Sequence, residues 1–403
     1  MKNRFRIFVW TLYDFANTSF SIVVVTALFA VYFKKTIVSG ESIGDFYWSL
    51  ATSISMLITA VISPILGAIA DHSAGKKRFL LFFTLLCIIG TAMLYFTKSG
   101  AVLFAMVVFI LSNIGFESAL VFYDAFLPEL TEPKNYGRVS GYGFAMGYLG
   151  SFATLAIALP LINNNLIRET FPVSSLFFLV FAAPIFIFLH DNRKKVEGRV
   201  SYFKIGFDRV YNTITNLKNY KNLATFLLAF FFYIEGVNTV IFFAGNYAST
   251  TIGFTDFEVL LFFLTVQSTA ILGSIIFGIV SDSYGQKKTI VISLLLWLVT
   301  IVYAFLVKDK TNFYIVGLLA GSVMGATQST SRSLMSKLTP EEKKTEFFGF
   351  YSFFGKSSAV LGPLVFGIIS YLTNNQRFAI LSIGLFFIVG LFILTKVKDP
   401  KLV

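Results

Sequence analysis

Twelve stretches of this 403-residue chain are apolar for long enough to cross a bilayer as a helix; about 20 residues span a hydrocarbon core of about 30 Å. The pattern predicts spans at 8–33, 46–70, 79–97, 101–127, 138–162 and 172–189, then at 223–247, 257–280, 289–307, 312–336, 346–372 and 376–395. Between the sixth and seventh lies the longest hydrophilic stretch, residues 190–221. Within it Phe203, Phe207, Val210, Tyr211, Ile214 and Leu217 recur at helical spacing, with Lys204, Arg209 and Lys218 among them. That predicts an amphipathic helix lying on the membrane surface. A linker of this kind divides the chain as 1–190, 191–221 and 222–403. The first apolar run carries Asp14 and Asn17 and exceeds the apolar region of a secretory signal, so it is expected to stay as a helix.

A polar string returns after half the chain. GAIADHSAGKKR at 67–78 and GIVSDSYGQKK at 278–288 share Gly-x-x-x-Asp, then a Gly and a basic cluster, between the second and third spans of each half. A charged string repeated at corresponding membrane-helix ends indicates duplication, the plan on which many secondary transporters are built. Asp71 and Asp282 are expected to latch neighbouring helix ends in one conformation. Gly67, Gly75, Lys77 and Arg78 complete the first latch, and Gly285 and Lys287 the second, which is one residue shorter after its Asp. The basic ends, Lys76 and Lys288 included, are expected at the cytoplasmic surface. A second echo pairs Tyr13, Asp14 and Asn17 with Tyr233, Glu235 and Asn238.

Composition agrees with a membrane protein. Charged residues make up 13% and apolar residues 56%, whereas soluble domains carry roughly 25% charged residues. The net charge of +12 invites a nucleic-acid reading, but its placement argues against one. Of 33 Lys and Arg, 24 fall in the termini and alternate loops, 7 on the opposite side and 2 inside spans. That asymmetry places both termini in the cytoplasm. Cys87 is the single cysteine, so no disulfide forms within the chain, and His72 and His190 lie beside loops. No metal centre, cofactor or nucleotide-binding loop is expected, and no nucleophile stands with a base, so the chain does not read as an enzyme.

Away from the span ends, six charged residues fall inside predicted spans: Asp14, Glu117, Asp124, Glu235, Arg332 and Lys356. Each costs about 2.5–3.5 kcal/mol at a helix centre, so they are expected to face a polar cavity or one another. Asn113, Glu117 and Asp124, spaced by four and seven, share one face, with Tyr123 beside it. Aligning Leu130-Thr131 with Leu338-Thr339 sets Asp124 against Arg332. Such a pair is either a gate that closes in one state or a static contact. Glu117 and Glu235 are candidates to carry a proton, since burial favours the neutral carboxyl, or to hold a substrate ammonium. Arg332 or Lys356 would then grip a carboxylate, Arg in bidentate fashion. Gly141, Gly143, Gly147 and Gly150, and Gly349, Gly355 and Gly362, provide small faces for close helix approach.

The doubled Gly-x-x-x-Asp string resembles the signature loop of the major facilitator superfamily. Within it, WTLYDFANTSF (10–20), FLPELTEPKNYGRVSGYGFAMGYLG (126–150), QSTSRSLMSKLTPEEKKTEFFGFYSFFGKSSAVLGP (328–363) and the loop at 67–78 resemble one branch. That branch is sometimes called the unknown major facilitators and includes vacuolar amino-acid effluxers linked to autophagy. The resemblance covers nearly the whole chain. It implies an all-α polytopic protein with twelve transmembrane helices in two pseudo-symmetric six-helix bundles, a central cavity and alternating access. On matching positions it favours Asp14, Asn17, Arg332 and Lys356, and Gln328 opens one of the matching stretches. The expectation is a monomeric secondary transporter in the cell (inner) membrane that exports a small polar solute, amino acids foremost, with protons as a possible coupling ion. Drugs, sugars or organic anions are the alternative substrates. A non-transporting receptor or scaffold is the rival class, although no stretch outside the spans exceeds about thirty residues.

Overall fold

The computed structural model describes residues 2–191, 202–358 and 361–398. Among the described residues every regular element is helical. In hydrocarbon a backbone has no water to bond, and a helix satisfies its own N–H and C=O groups. The chain runs α1 (Lys2–Phe20), α2 (Leu28–Tyr32), α3 (Glu41–Ile69), α4 (Lys76–Met93), α5 (Val102–Asp124), α6 (Leu127–Leu130), α7 (Tyr136–Asn163) and α8 (Thr170–Phe188). It continues as α9 (Tyr202–Thr215), α10 (Lys221–Thr250), α11 (Asp256–Tyr284), α12 (Gln286–Leu306), α13 (Lys310–Leu338), α14 (Lys344–Ser358), α15 (Leu361–Thr373) and α16 (Gln376–Thr395). Looser helical turns join α1 to α2, so the first crossing runs from Asn3 to Val38 and is longer at both ends than its apolar core.

Eleven segments among the described residues are long and apolar enough to cross a membrane. The tenth expected span, 312–336, is the helix α13, which has the length but lacks the apolarity. Its second half reads Gly325-Ala-Thr-Gln-Ser-Thr-Ser-Arg-Ser, and all but Gln328 of these are buried. A helix this polar is accommodated at membrane depth because α11 and α12 cover it, and its Thr327 and Ser331 hydroxyls are hydrogen-bonded. The eleventh expected span, 346–372, is assigned as two helices, α14 and α15, within the one crossing Glu341–Thr373.

The chain forms two compact units. The first comprises Met1–Phe126, Met146–Tyr211 and Glu341–Gly349, with α4 on α5, α1 on α8 and α3 on α5. The second comprises Leu127–Ala145, Asn212–Pro340 and Phe350–Val403, with α13 on α11 and α12, and α16 on α10, α12 and α15. Each unit thus takes a short segment from the opposite half of the sequence. Within the linker, residues 192–201 lie outside the described residues, and α9 is the helix that the spacing predicted. Phe207, Tyr211 and Ile214 form an exposed stripe along it, while Gly206 packs against Ile65 and Ile69 of α3.

Candidate functional site

In the first unit, Asp14 is buried on α1, with Asn17 one turn on. Its Oδ2 accepts a hydrogen bond from the Tyr123 hydroxyl at 2.7 Å, and its Oδ1 accepts from Asn17 Nδ2 at 3.4 Å. Tyr123 is held in turn: its ring lies between Trp10 at 4.6 Å and Tyr13 at 4.9 Å, and its carbonyl accepts from Trp10 Nε1 at 3.1 Å. The structure therefore unites Asp14, Asn17 and Tyr123, and adds Trp10 and Tyr13, of which the sequence reading singled out only Tyr13, as part of the echo between halves. Tyr123, one position off the predicted stripe of α5, is the residue that reaches Asp14. Asp124 is the half-buried last residue of α5.

Asn113 and Glu117 are both buried on α5. Asn113 Nδ2 donates to Ser55 Oγ at 2.8 Å, while its Oδ1 has no hydrogen-bond partner among the described residues. Ser55 belongs to a polar seam that sequence reasoning missed. Ser55, Thr59, Ser63, Gly67 and Asp71 recur at every fourth position, which puts them on one face of α3 and its extension. That spacing was the signal that could have found it.

The second unit holds Glu235, with no exposed surface, on α10. Its Oε1 accepts from the backbone N–H of Gly362, at the start of α15, and from Thr239 Oγ1 at 3.3 Å. Its Oε2 is buried with no hydrogen-bond partner among the described residues. Tyr233, two positions earlier, shares a 2.8 Å hydrogen bond with Ser331 of α13, and Asn238 is half-buried. Arg332 is buried on α13, where Nε donates to Ser140 Oγ at 3.0 Å and Nη2 donates to the Ser140 carbonyl at 2.9 Å. The guanidinium also stacks 4.2 Å from the centre of the Phe144 ring. Gln328 and Lys356 are half-buried.

The two signature strings make matching constructions, one in each unit. Asp71 accepts the backbone N–H groups of Thr345 at 3.0 Å and Glu346 at 2.8 Å, in the first turn of α14. Asp282 accepts those of Gly137 at 2.7 Å and Arg138 at 3.0 Å, in the first turn of α7, and pairs with Arg138 Nε at 2.9 Å. The first N–H groups of a helix lack internal partners and carry its positive end, so a carboxylate there satisfies both. Gly67 and Gly278 permit the close approach, since a Cβ would overlap the carbonyl oxygens of Thr345 and Gly137 respectively. Gly75 and Gly285 turn the chain between helices at φ 73° and 98°, where other residues are strained.

The basic cluster is divided by function along its helix. Lys77 Nζ donates to the Leu189 carbonyl at 2.6 Å, just past α8, and Lys287 Nζ donates to the carbonyls of Thr395 at 3.0 Å and Val397 at 2.6 Å, at the end of α16. Both lysines cap the negative end of the last helix of their own sequence half. Arg78 is exposed. Lys76, expected at the surface, is instead buried: its Nζ donates to the Ala125 carbonyl at 2.9 Å and sits 4.6 Å from the centre of the Phe126 ring. A backbone carbonyl and an aromatic face replace its water. Among the described residues no three His, Cys, Asp or Glu side chains form a set able to hold a metal ion.

Comparison with known proteins gives consistent matches. A family model described as "Vacuole effluxer Atg22 like" matches residues 44–136 and 131–401. The "Uncharacterized MFS-type transporter YxiO" of Bacillus subtilis is 35% identical over 97% of this chain and 94% of its own length. "Autophagy-related protein 22" of Kluyveromyces lactis is 23% identical over 84% of this chain and 77% of its own. The crystal structure of the human organic anion transporter MFSD10 (TETRAN) superposes with a TM-score of 0.79 at 14% identity, covering 97% of this chain and 99% of that one. The chain has the major facilitator fold, is an integral membrane transporter of that superfamily, and belongs to its vacuole-effluxer Atg22-like family.

Proposed function

We propose that this transporter exports small zwitterionic solutes, amino acids foremost, across a bacterial-type cell membrane by alternating access, with both termini in the cytoplasm and Glu235 as the acid that takes up the cation. The family description as vacuole effluxers supports export, and the bacterial relative supports the cell membrane. The observation that carries the chemistry is the divided environment of Glu235. One carboxylate oxygen is bonded to Gly362 and Thr239, and the other is buried without a partner among the described residues. An anion half-satisfied at membrane depth is stabilised by a positive charge on the open oxygen, either a proton or a substrate ammonium. Asp14 is the second acid in a polar setting, and the Arg332 guanidinium and Lys356 ammonium are the cations suited to a substrate carboxylate.

The test is flux in proteoliposomes loaded with an amino-acid mixture, with and without a pH gradient. Sugars and organic anions serve as competing cargo. The wild type is expected to move amino acids, and Glu235→Gln is expected to keep exchange at equal pH while losing the acceleration by the gradient. Absence of amino-acid flux while an organic anion moves would replace the substrate class. An unchanged gradient response in Glu235→Gln would remove Glu235 from the coupling.

A further inference from the structure

An open groove of about 620 Å³ lies where α10 begins, lined by Leu217, Lys218, Lys221, Ala224, Thr225 and Leu228. Lys221, Ala224, Thr225 and Leu228 follow the i, i+3, i+4, i+7 spacing of one helix face, so the groove runs along α10. Its two ends differ in chemistry. Lys218 and Lys221 are exposed, and neither is paired with a carboxylate among the described residues. The first turn of α10 contains no acid. Leu217, Ala224 and Leu228 supply the apolar wall, and the two leucines are 44% and 45% exposed. The Thr225 hydroxyl donates to the Lys221 carbonyl at 2.7 Å, which leaves the two ammonium groups as the charged donors of the groove.

We infer that this groove binds an anionic phospholipid, with its phosphate between the Lys218 and Lys221 ammonium groups and the start of one acyl chain along Ala224 and Leu228. The location selects a lipid over a soluble anion. The crossing Leu217–Thr250 begins here, so the lysines lie at headgroup level and Leu228 lies two turns into the apolar stretch. A free phosphate would use the lysines and leave the apolar wall wet, whereas a phospholipid covers both. The preceding helix α9 presents Phe207, Tyr211 and Ile214 outward at 49%, 69% and 49% exposure, the pattern of a helix seated in the interface. Asn222 ties the C-terminal segment to the first turn of α10: its Nδ2 donates to the Lys398 carbonyl at 2.9 Å and its Oδ1 accepts the Lys398 N–H at 2.6 Å.

Native mass spectrometry of the purified full-length protein tests the site, with phosphatidylglycerol and phosphatidylcholine titrated separately. The wild type is expected to retain one phosphatidylglycerol and to release phosphatidylcholine. Each lysine near an anionic surface contributes about a fivefold gain in affinity, so Lys218→Gln with Lys221→Gln should weaken retention by about 30-fold. Ala224→Trp keeps both charges and fills the groove, and it should also abolish retention. Folding of each variant is checked by its circular dichroism and thermal transition. Any of three results overturns the inference: equal retention of the two lipids, wild-type retention by either variant, or displacement of the lipid by millimolar inorganic phosphate.

Discussion

Removing the Asp282 carboxylate should cost far more than removing the guanidinium paired with it. The side chain of Asp282 is 2% exposed and that of Arg138 is 44% exposed, although the two are only 2.9 Å apart. A half-exposed ion pair is screened and contributes about 0.2–1 kcal/mol. The two backbone bonds, at 2.7 and 3.0 Å, are different. They are made by the otherwise unsatisfied N–H groups of the first turn of α7, and a bond to a charged acceptor contributes about 1.5–3 kcal/mol. Asparagine keeps one neutral acceptor and turns an NH2 group toward the second amide. Asp282→Asn should therefore cost about 2–4 kcal/mol, and Arg138→Ala under about 1 kcal/mol. Thermal unfolding of the purified protein in detergent, read at fixed ionic strength, gives the order of the two variants, and the double variant gives their coupling. If Arg138→Ala lowers the midpoint as much as Asp282→Asn, the ion pair and not the helix cap holds this junction, and the reasoning is wrong.

Four further outcomes follow from the structure. Gly67→Ala should destabilise by about 1–3 kcal/mol through overlap with the Thr345 carbonyl. Gly384→Ala in α16, whose Cβ would meet nothing nearer than 3.7 Å, should leave the thermal midpoint unchanged or raise it. Lys77→Met and Lys287→Met should each speed hydrogen exchange about tenfold in the segments they cap, 189–191 and 395–398, and neither should affect the other's segment. Asp309 caps α13, and bonds from the side chain and backbone of Asn312 hold its carboxyl below the usual aspartate range. A carboxyl depressed in the folded state stabilises above its unfolded value, about 3.9, and loses that contribution as pH falls through the lower folded value. The gap in thermal midpoint between wild type and Asp309→Ala should thus be full at pH 7 and close below about pH 4.

What the sequence disclosed, and what it hid, follows the cost of each group in lipid. A carboxylate or guanidinium at membrane depth is expensive enough to be conspicuous, so Asp14, Glu235 and Arg332 stood out without a structure. Their partners did not. Ser140, which takes two bonds from Arg332, and Ser55, which takes one from Asn113, look like the other hydroxyls of a helix. A membrane Ser or Thr can always turn back to a carbonyl four residues earlier, as Thr239 and Ser331 do, so its presence in a span says nothing of its partner. Apolarity has the converse blind spot. The apolar pattern placed a span at 312–336, yet the mean hydropathy of α13 falls short of the other crossings, because its second half is polar and is covered by neighbouring helices rather than by lipid.

The basic cluster shows why a motif legible as a unit is not a unit in function. Lys76, Lys77 and Arg78 read as one patch, but consecutive helical residues point about 100° apart. Lys76 therefore turns into the protein toward the Ala125 carbonyl, Lys77 toward the end of α8, and Arg78 outward. The second copy tests this division without an experiment. Where direction and partner are shared, the residue type is kept: Lys287 caps α16 as Lys77 caps the end of α8. Where the partner changes, the type changes with it. The position of Lys76 is taken by Gln286, which is equally buried and accepts from Lys337 Nζ at 3.4 Å in place of donating to a carbonyl. Charge at the motif's first basic position thus belongs to local packing in one half, while charge at the second belongs to the architecture of both.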